Sequence, residues 1–139
     1  MPIGLQLRQV TKVVSAGFDD ALAHAGGSLP VWLVLISVMT TQHASEPPSQ
    51  RRLAESVGIR DATLTHHLNA MEAGGLLTRR RDPTNRRVHI VELTAQGEAL
   101  FGRLREAAMA FDQRLRSGLS EADLAALSDL LNRLRDNVA

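Results

Sequence analysis

The sequence contains no cysteine, no tyrosine and only one lysine, Lys12. Without cysteine, the chain has no disulfide framework, no thiolate metal site and no cysteine redox sensor. One tryptophan and three phenylalanines argue against the stacking platform that recognises single-stranded nucleic acid. The side chains left to carry function are mainly arginines, histidines and apolar helix faces.

Long hydrophobic runs are missing as well. The longest, from Leu29 to Met39, has about half of the roughly 20 residues that a transmembrane helix needs. The N-terminus shows no charged leader followed by an apolar stretch and a cleavage site. Together with the lack of cysteine, these features predict a cytoplasmic protein without a membrane partner, built as a single domain over residues 1–139.

The net charge is only +1, but it is unevenly distributed. Residues 49–93 carry eight basic and five acidic side chains, whereas the rest of the chain carries eight and ten. A basic segment between near-neutral or acidic flanks suggests a polyanion-binding module on an oligomerising scaffold. Five arginines lie within nine residues, on both sides of a Pro/Asn turn: Arg79, Arg80, Arg81, Arg86 and Arg87.

Hydrophobic periodicity predicts a mainly α-helical domain with helices at both ends. The first predicted helix ends near His24, and the second begins at Ser28 with Pro30 in its first turn. Near the C-terminus, a helix capped by Thr94 precedes a helix whose cap is formed by Ser120 and Asp123.

The central segment has the pattern of a winged helix-turn-helix. Short helices are predicted from Ser49 to Val57 and from Asp61 to Ala73, with Ser49 and Asp61 as their N-caps. Strands are predicted from Leu76 to Arg81 and from Val88 to Leu93, joined by a turn at Asp82 to Asn85. Two short helices joined by a tight turn and followed by a hairpin are typical of this DNA-binding motif.

The helix from Asp61 has a face suited to a major groove. Its inward positions are Leu64, Leu68 and Met71. The opposite face and its borders carry small or hydrogen-bonding side chains, which can reach base edges in a groove about 12 Å wide. An ordinary solvated face has a similar composition, so the neighbouring segments decide between the two. The candidate base-reading residues are Ala62, Thr63, Thr65, His66 and Asn69.

The hairpin is the strongest local indication of DNA binding. Arginine on a narrow ribbon can enter a minor groove, whose negative potential attracts guanidinium groups. We expect Arg86 and Arg87 to contact DNA, Arg79 and Arg81 to follow the strand edges, and one arginine to pair with Asp82.

The N-terminus of the first short helix is a further candidate for phosphate contacts. Backbone N–H groups at a helix N-terminus favour anions, and basic side chains add to this attraction. The residues in this position are Ser49, Arg51 and Arg52.

The run from Ala62 to Leu100 resembles the core of the MarR family of bacterial transcription regulators. It contains a helix ending in L-x-x-M-E-x-x-G-L, a wing of the form D-P-x-x-R-R, and a strand followed by L-T-x-x-G. The flanking helices and the length are also similar, so the resemblance covers essentially the whole chain. Asn85 occupies a position where the family more often has aspartate, which leaves Asp82 as a possible acidic partner in the wing.

The resemblance implies a homodimer that reads a pseudo-palindromic operator. Residues 1–43 and 94–139 would form the helical dimerisation scaffold, and residues 44–93 the DNA-binding lobe. The terminal helices of so short a chain would otherwise leave an apolar stripe in water. The predicted dimerisation residues are Ile3, Leu7, Val10, Leu124, Leu127, Leu131, Leu134 and Val138.

The resemblance also implies a small effector, often a phenolic or aromatic anion, bound between the dimer helices and the DNA-binding lobe. Tryptophan and methionine at helical spacing are more typical of a plain core, so the assignment has a simple alternative. The candidate effector residues are Trp32, Ile36, Met39, His43, His67 and Met71.

The sequence as a whole predicts a homodimeric double-stranded DNA-binding regulator that needs no cofactor. A repressor is favoured over an activator because a dimer bound at a promoter usually obstructs polymerase. Five histidines leave a metal effector open, although no H-x-x-x-H or H-E-x-x-H spacing occurs. A winged-helix module for protein partners is another alternative. An enzyme has little support, because P-loop, G-x-G-x-x-G and G-x-S-x-G sequences are absent.

Overall fold

The computed structural model describes residues 1–41, 49–87 and 89–139. The order of elements is the predicted one, so a mainly α-helical fold with a β-hairpin is confirmed. The predicted strand start at Val88 lies outside the described residues. The helices are α1 (Ile3–His24), α2 (Leu29–Thr41), α3 (Gln50–Val57), α4 (Asp61–Ala73), α5 (Ala95–Arg116) and α6 (Glu121–Val138), and the strands are β1 (Leu77–Arg81) and β2 (His89–Leu93).

The two short helices are delimited by local caps. Ser49 is the N-cap of α3, where its hydroxyl accepts a hydrogen bond from Arg52 N at 3.2 Å. Gly58 ends α3 with φ 77°, a conformation that glycine adopts without steric cost. The predicted N-cap of α4 is wrong by one residue, because Arg60 has the extended conformation (φ −69°, ψ 148°) and the helix already includes Asp61.

The chain divides into two compact units, Met1–Ala108 and Met109–Ala139. In the first unit α2 is central, since it contacts α1, α3, α4 and β2. It is apolar around most of its circumference, and Val34, Leu35 and Val38 have no exposed surface. The other buried apolar residues of this core are Leu22, Trp32, Leu53, Ala54, Leu64, Leu68, Met71, Leu77, Val91, Leu100 and Leu104.

The hairpin formed by β1 and β2 is antiparallel, and its register pairs Leu77 with Leu93. An isolated bridge joins Ser49 to Ile90 of β2. This bridge brings the N-terminus of α3 beside the hairpin. We call residues 77–93 the wing.

The base of the wing is closed by the start of α5. The Thr94 hydroxyl donates to the Gly75 carbonyl at 2.6 Å and accepts from Gly97 N at 3.1 Å. A Cβ atom on Gly97 would lie only 2.0 Å from the Leu76 carbonyl oxygen, so no larger residue fits without a shift. The L-T-x-x-G sequence thus joins the end of the wing to the Gly75 and Leu76 segment that precedes the wing.

The second unit consists of the end of α5, a turn and α6. Gly118 has φ 81° in the turn, and the predicted capping box of Ser120 and Asp123 is confirmed at the start of α6. No residue of α6 is buried. Large apolar side chains of α6 that are 43–89% exposed are Leu127, Leu130, Leu131 and Val138.

Among the described residues, no single helix is both long and apolar enough to cross a membrane. α1 and α2 pass that test only as a pair, by length and composition, and they are bent by 74° at the break between them.

Candidate nucleic-acid interface

A polar groove lies where α3, α4 and the wing meet. The Ser49 to Ile90 bridge fixes one side of it, and a hydrogen bond from Gln50 Nε2 to Thr65 Oγ1 at 2.6 Å ties α3 to α4 on another. All of its described lining residues are basic or uncharged, so the groove suits an anion. We call it the wing groove, and it is lined by Ser49, Gln50, Arg51, Thr65, Arg79, Asn85, Arg87 and His89.

The predicted inward face of α4 is confirmed. Leu64 and Leu68 have no exposed surface, and Met71 is 2% exposed. Thr65 is half-buried, and its hydroxyl already accepts the hydrogen bond from Gln50. The remaining candidate base-reading residues, Ala62, Thr63, His66 and Asn69, are exposed.

The predicted phosphate-binding residues lie at the start of α3. Arg51 and Arg52 are exposed, whereas Ser49 is half-buried and its hydroxyl serves the helix cap. Arg51 forms an ion pair with Glu55 at 3.7 Å, with side chains 87% and 70% exposed. A pair so exposed contributes little stability and leaves the guanidinium accessible to another anion.

The arginines on β1 are all engaged within the protein. Arg79 donates to Glu72 and to Asn69 of α4, and its side chain is only 17% exposed. Arg80 Nε donates to Glu92 Oε1 across the hairpin at 3.0 Å. Arg81 Nη1 donates to the carbonyl oxygen of Arg86 at 3.3 Å.

The two arginines that follow the turn are different. Arg86 and Arg87 are exposed, and their guanidinium groups have no hydrogen-bond or ion-pair partner among the residues that the structure describes. Arg87 also lines the wing groove. These two side chains therefore provide positive charge that no acid of the wing neutralises.

The predicted ion pair of Asp82 is wrong. Its carboxylate accepts from Thr84 N at 2.9 Å and from the Thr84 hydroxyl at 2.8 Å, and within the described part of the chain no arginine is in ion-pair contact with it. The Thr84 N–H, followed by its hydroxyl, lowers the pKa of Asp82 because both stabilise the carboxylate. Asn85 Oδ1 accepts from Arg87 N at 3.2 Å. Short side-chain to backbone bonds thus hold the turn without an acid beside Arg87.

The candidate effector residues lie in different surroundings. Trp32 is buried and its ring stacks on Phe101, with centroids 5.6 Å apart and planes 14° from parallel. Met71 also belongs to the core, so both residues have a packing role. Ile36 is 37% exposed. Met39 and His67 are half-buried, and His43 lies outside the described residues.

Across residues 1–41, 49–87 and 89–139, no group of three or more His, Cys, Asp and Glu side chains could hold a metal ion. His66 and His67 have ring centroids 5.7 Å apart, with their planes at 60°.

Several residues of the wing groove were not predicted from the sequence. Gln50, Asn85 and His89 line it although none was expected to contact a ligand. His89 lies opposite Arg81 in the strand register, so strand alternation could have indicated it. No sequence signal pointed to Gln50, because its partner Thr65 is on another helix.

Comparisons with known proteins agree with this fold. A sequence model of the MarR family matches residues 33–89. The uncharacterized HTH-type transcriptional regulator YdgJ of Bacillus subtilis (strain 168) is 30% identical over 133 residues, which are 96% of this chain and 77% of that protein. The chain belongs to the MarR family.

Solved structures support the assignment. The transcriptional repressor CouR, bound to a 23-mer DNA duplex, is 27% identical, with a TM-score of 0.81 over 95% of this MarR chain and 91% of CouR. The PcaV regulator from Streptomyces coelicolor is 22% identical, with a TM-score of 0.86 over 99% and 98% of the two chains. The winged-helix fold is therefore shown, and the family is one of transcription regulators rather than enzymes.

Proposed function

We propose that this MarR-family chain is a homodimeric repressor that binds a pseudo-palindromic DNA operator. Its wing would reach the minor groove while the outer face of α4 enters the adjacent major groove. The duplex-bound repressor CouR, a relative of the same fold, supports this proposal. A dimer bound across a promoter obstructs polymerase, which favours repression over activation.

The observation that carries the proposal is the unneutralised charge of Arg86 and Arg87 beside an exposed α4 face. Uncompensated guanidinium groups on a narrow hairpin match the negative potential of a minor groove. Arg51 and Arg52 at the start of α3 would hold phosphates on one side, where the helix N-terminus adds its own positive end. Exposed Thr63 and His66 offer hydroxyl and imidazole groups to base edges.

Dimerisation is supported by the apolar surface of the terminal helices, each considered by itself. On α1, Ile3, Leu5, Val10 and Val13 are 53–73% exposed, and α6 buries none of its residues. Of the predicted interface residues, Leu7, Leu124 and Leu134 are half-buried, and Ile3, Val10, Leu127, Leu131 and Val138 are exposed. Exposed apolar side chains in these numbers on each helix are typical of a surface that packs against a partner.

Dimerisation can be tested with Leu127→Asp combined with Leu131→Asp. Since both side chains are exposed in one chain, a monomer should fold normally with these changes. We expect light scattering to give half the mass of the unaltered protein while circular dichroism stays helical. The control is Arg133→Asp on the same helix. A pair variant with unchanged mass would exclude α6 from the interface.

Release by a small organic effector is also part of the proposal, and it follows from the family resemblance. Of the candidates that the structure describes, Ile36, Met39 and His67 have accessible surface, whereas Trp32 and Met71 are packed in the core.

Sequencing duplexes selected from a random DNA pool tests the function directly. The proposal predicts one enriched motif with twofold symmetry and half-sites about one helical turn apart, as a symmetric pair of winged helices requires. Recovery of no motif would contradict it. Capture of a protein partner together with failure to bind any duplex at low salt would favour the interaction module instead.

A further inference from the structure

The guanidinium of Arg79 lies between α4 and the wing, where it has partners on two successive turns of the helix. Its Nη2 donates to Glu72 Oε1 at 3.0 Å and also to Asn69 Oδ1. The backbone N–H of the same residue donates to Glu72 Oε2 at 3.1 Å. Glu72 thus accepts one bond from the side chain and one from the backbone of a single arginine.

The strand register explains this orientation. Arg79 lies two residues after buried Leu77 and opposite buried Val91, so its side chain leaves the strand on the face that packs on the protein. Only 17% of that side chain is exposed. Arg80 leaves the strand on the opposite face and pairs with Glu92, with both side chains more than 40% exposed.

The connection between α4 and β1 gives these contacts a mechanical role. α4 ends at Ala73 and β1 begins at Leu77, and the link between them contains Gly74 and Gly75. Gly75 has φ 78°, and glycine allows many backbone conformations. Backbone hydrogen bonds from Gly75 N and Leu76 N to carbonyl oxygens of α4, and one from the Thr94 hydroxyl to the Gly75 carbonyl, already hold this link. The Glu72 side chain adds a direct restraint between α4 and β1.

We propose that Arg79 is a positioning residue, which Glu72 and Asn69 hold so that the wing and α4 meet a duplex as one rigid body. The proposal rests on the proposed DNA-binding function. Arg79 would act through its contacts with α4 and not through a phosphate, although it belongs to the arginine cluster that suggested DNA binding.

The same contacts orient Asn69. A guanidinium has donors and no acceptor, so the amide oxygen of Asn69 faces Arg79. Its NH₂ group is the part left to face outward from α4. Asn69 would then offer donors to acceptor atoms of a base edge, such as guanine O6 or N7.

We call the contacts of Glu72 with Arg79 the latch. Replacing Glu72 with glutamine distinguishes a latch that positions the wing from an ordinary surface acid. An acid beside a duplex repels phosphate, so its neutralisation ordinarily strengthens binding. If Glu72 positions the wing, Glu72→Gln weakens binding by about three- to tenfold, the order expected for the loss of one ordinary hydrogen bond. Glu92→Gln is the matched control, because it neutralises an acid that pairs only within the hairpin, and it should not weaken binding.

The measurements use the whole protein, a duplex recovered from random-pool selection and a duplex of unrelated sequence. Amide hydrogen exchange of the free protein is followed at Arg79 and along β1. We expect Glu72→Gln to speed that exchange and Glu92→Gln to leave it unchanged at Arg79. Arg79→Met should weaken binding at least as much as Glu72→Gln does, because it also removes the contact with Asn69. The double variant should bind no worse than Arg79→Met, which has already lost the side-chain contact with Glu72.

Two results would overturn the latch. One is unchanged exchange at Arg79 in Glu72→Gln, and the other is faster exchange with duplex binding equal to or tighter than that of the unaltered protein. Failure of the unaltered protein to bind any duplex would contradict the proposed function instead, while the exchange data would still decide whether the latch holds the wing.

Discussion

Arginines on the first strand of the wing and arginines after its turn have different surroundings. On β1, Arg79, Arg80 and Arg81 are each bonded to an acid, an amide or a carbonyl of the protein itself. After the turn, Arg86 and Arg87 have exposed guanidinium groups without partners among the described residues.

This difference shows that charge density alone overstates the charge available to a ligand. Glu72 and Glu92 neutralise two of the β1 arginines, and Asp82 is occupied by Thr84 instead of an arginine. What remains for a polyanion is the pair after the turn and Arg81, whose hydrogen-bond partner is an uncharged carbonyl, together with the basic residues of α3. The role of an arginine in this wing is decided by strand alternation and by the nearest carboxylate.

The largest effect is expected from removing the charge of the turn. Arg86→Ala and Arg87→Ala should each weaken binding to a selected duplex by about 1–3 kcal/mol, because a contact to DNA is lost. Fluorescence anisotropy at fixed salt measures the loss, and light scattering checks that the assembly is unchanged. Unaltered affinity of the double variant would remove the wing from the mechanism.

A smaller effect should follow when an arginine without a partner is given an acidic partner. Asn85→Asp places a carboxylate where the amide oxygen now accepts from Arg87 N, close to the start of that side chain. We expect this acid to attract the Arg87 guanidinium and to weaken duplex binding about three- to fivefold, as an exposed ion pair allows. Asn85→Ser serves as the uncharged control. Tighter binding of Asn85→Asp would show that the acid orients Arg87 productively.

Lowering the pH should loosen the contact between α4 and β1. The Arg79 side-chain hydrogen bond is the main cause that lowers the pKa of Glu72 below its ordinary value of 4.5. A carboxyl whose folded pKa is depressed stabilises the fold above the ordinary value, and this contribution is lost as pH falls through the folded pKa. Hydrogen exchange at Arg79, corrected for its intrinsic pH dependence, should therefore rise below about pH 4.5. The rise should be absent in Glu72→Gln, and its persistence there would assign it to another group.

The smallest effect is expected at the exposed cross-strand pair. Arg80→Ala should change duplex affinity by less than about twofold, because its charge is already balanced by Glu92 and exposed pairs contribute little. The same anisotropy assay applies. A loss as large as that of Arg87→Ala would erase the distinction between the two groups of arginines.

Much of the fold was predictable because its signals are local. Ser49, Gly58, Ser120 and Asp123 act within one helical turn, and the inward leucines of α4 follow from helical periodicity. The N-cap prediction was wrong at Asp61, because Arg60 is the extended residue that precedes the helix, and it forms no side-chain cap hydrogen bond.

The site was less predictable because its decisive contacts join different elements. The pairing of Glu72 with Arg79 depends on how α4 meets β1, and that of Gln50 with Thr65 on how α3 meets α4. The inward face of Arg79 could have been inferred from its two-residue spacing to Leu77. Asp82 could also have been assigned to its local turn, since aspartate often bonds the backbone two residues ahead.

The most direct test of the account is the salt dependence of duplex binding for Arg87→Ala and Arg79→Met, measured beside the unaltered protein. Each phosphate contact adds about 0.9 to the slope of log affinity against log salt concentration. We predict that Arg87→Ala lowers the magnitude of this slope by about 0.9, the value of one phosphate contact. Arg79→Met should weaken binding and leave the slope unchanged. Equal slopes for Arg87→Ala and the unaltered protein, or a slope lost in Arg79→Met, would contradict the account.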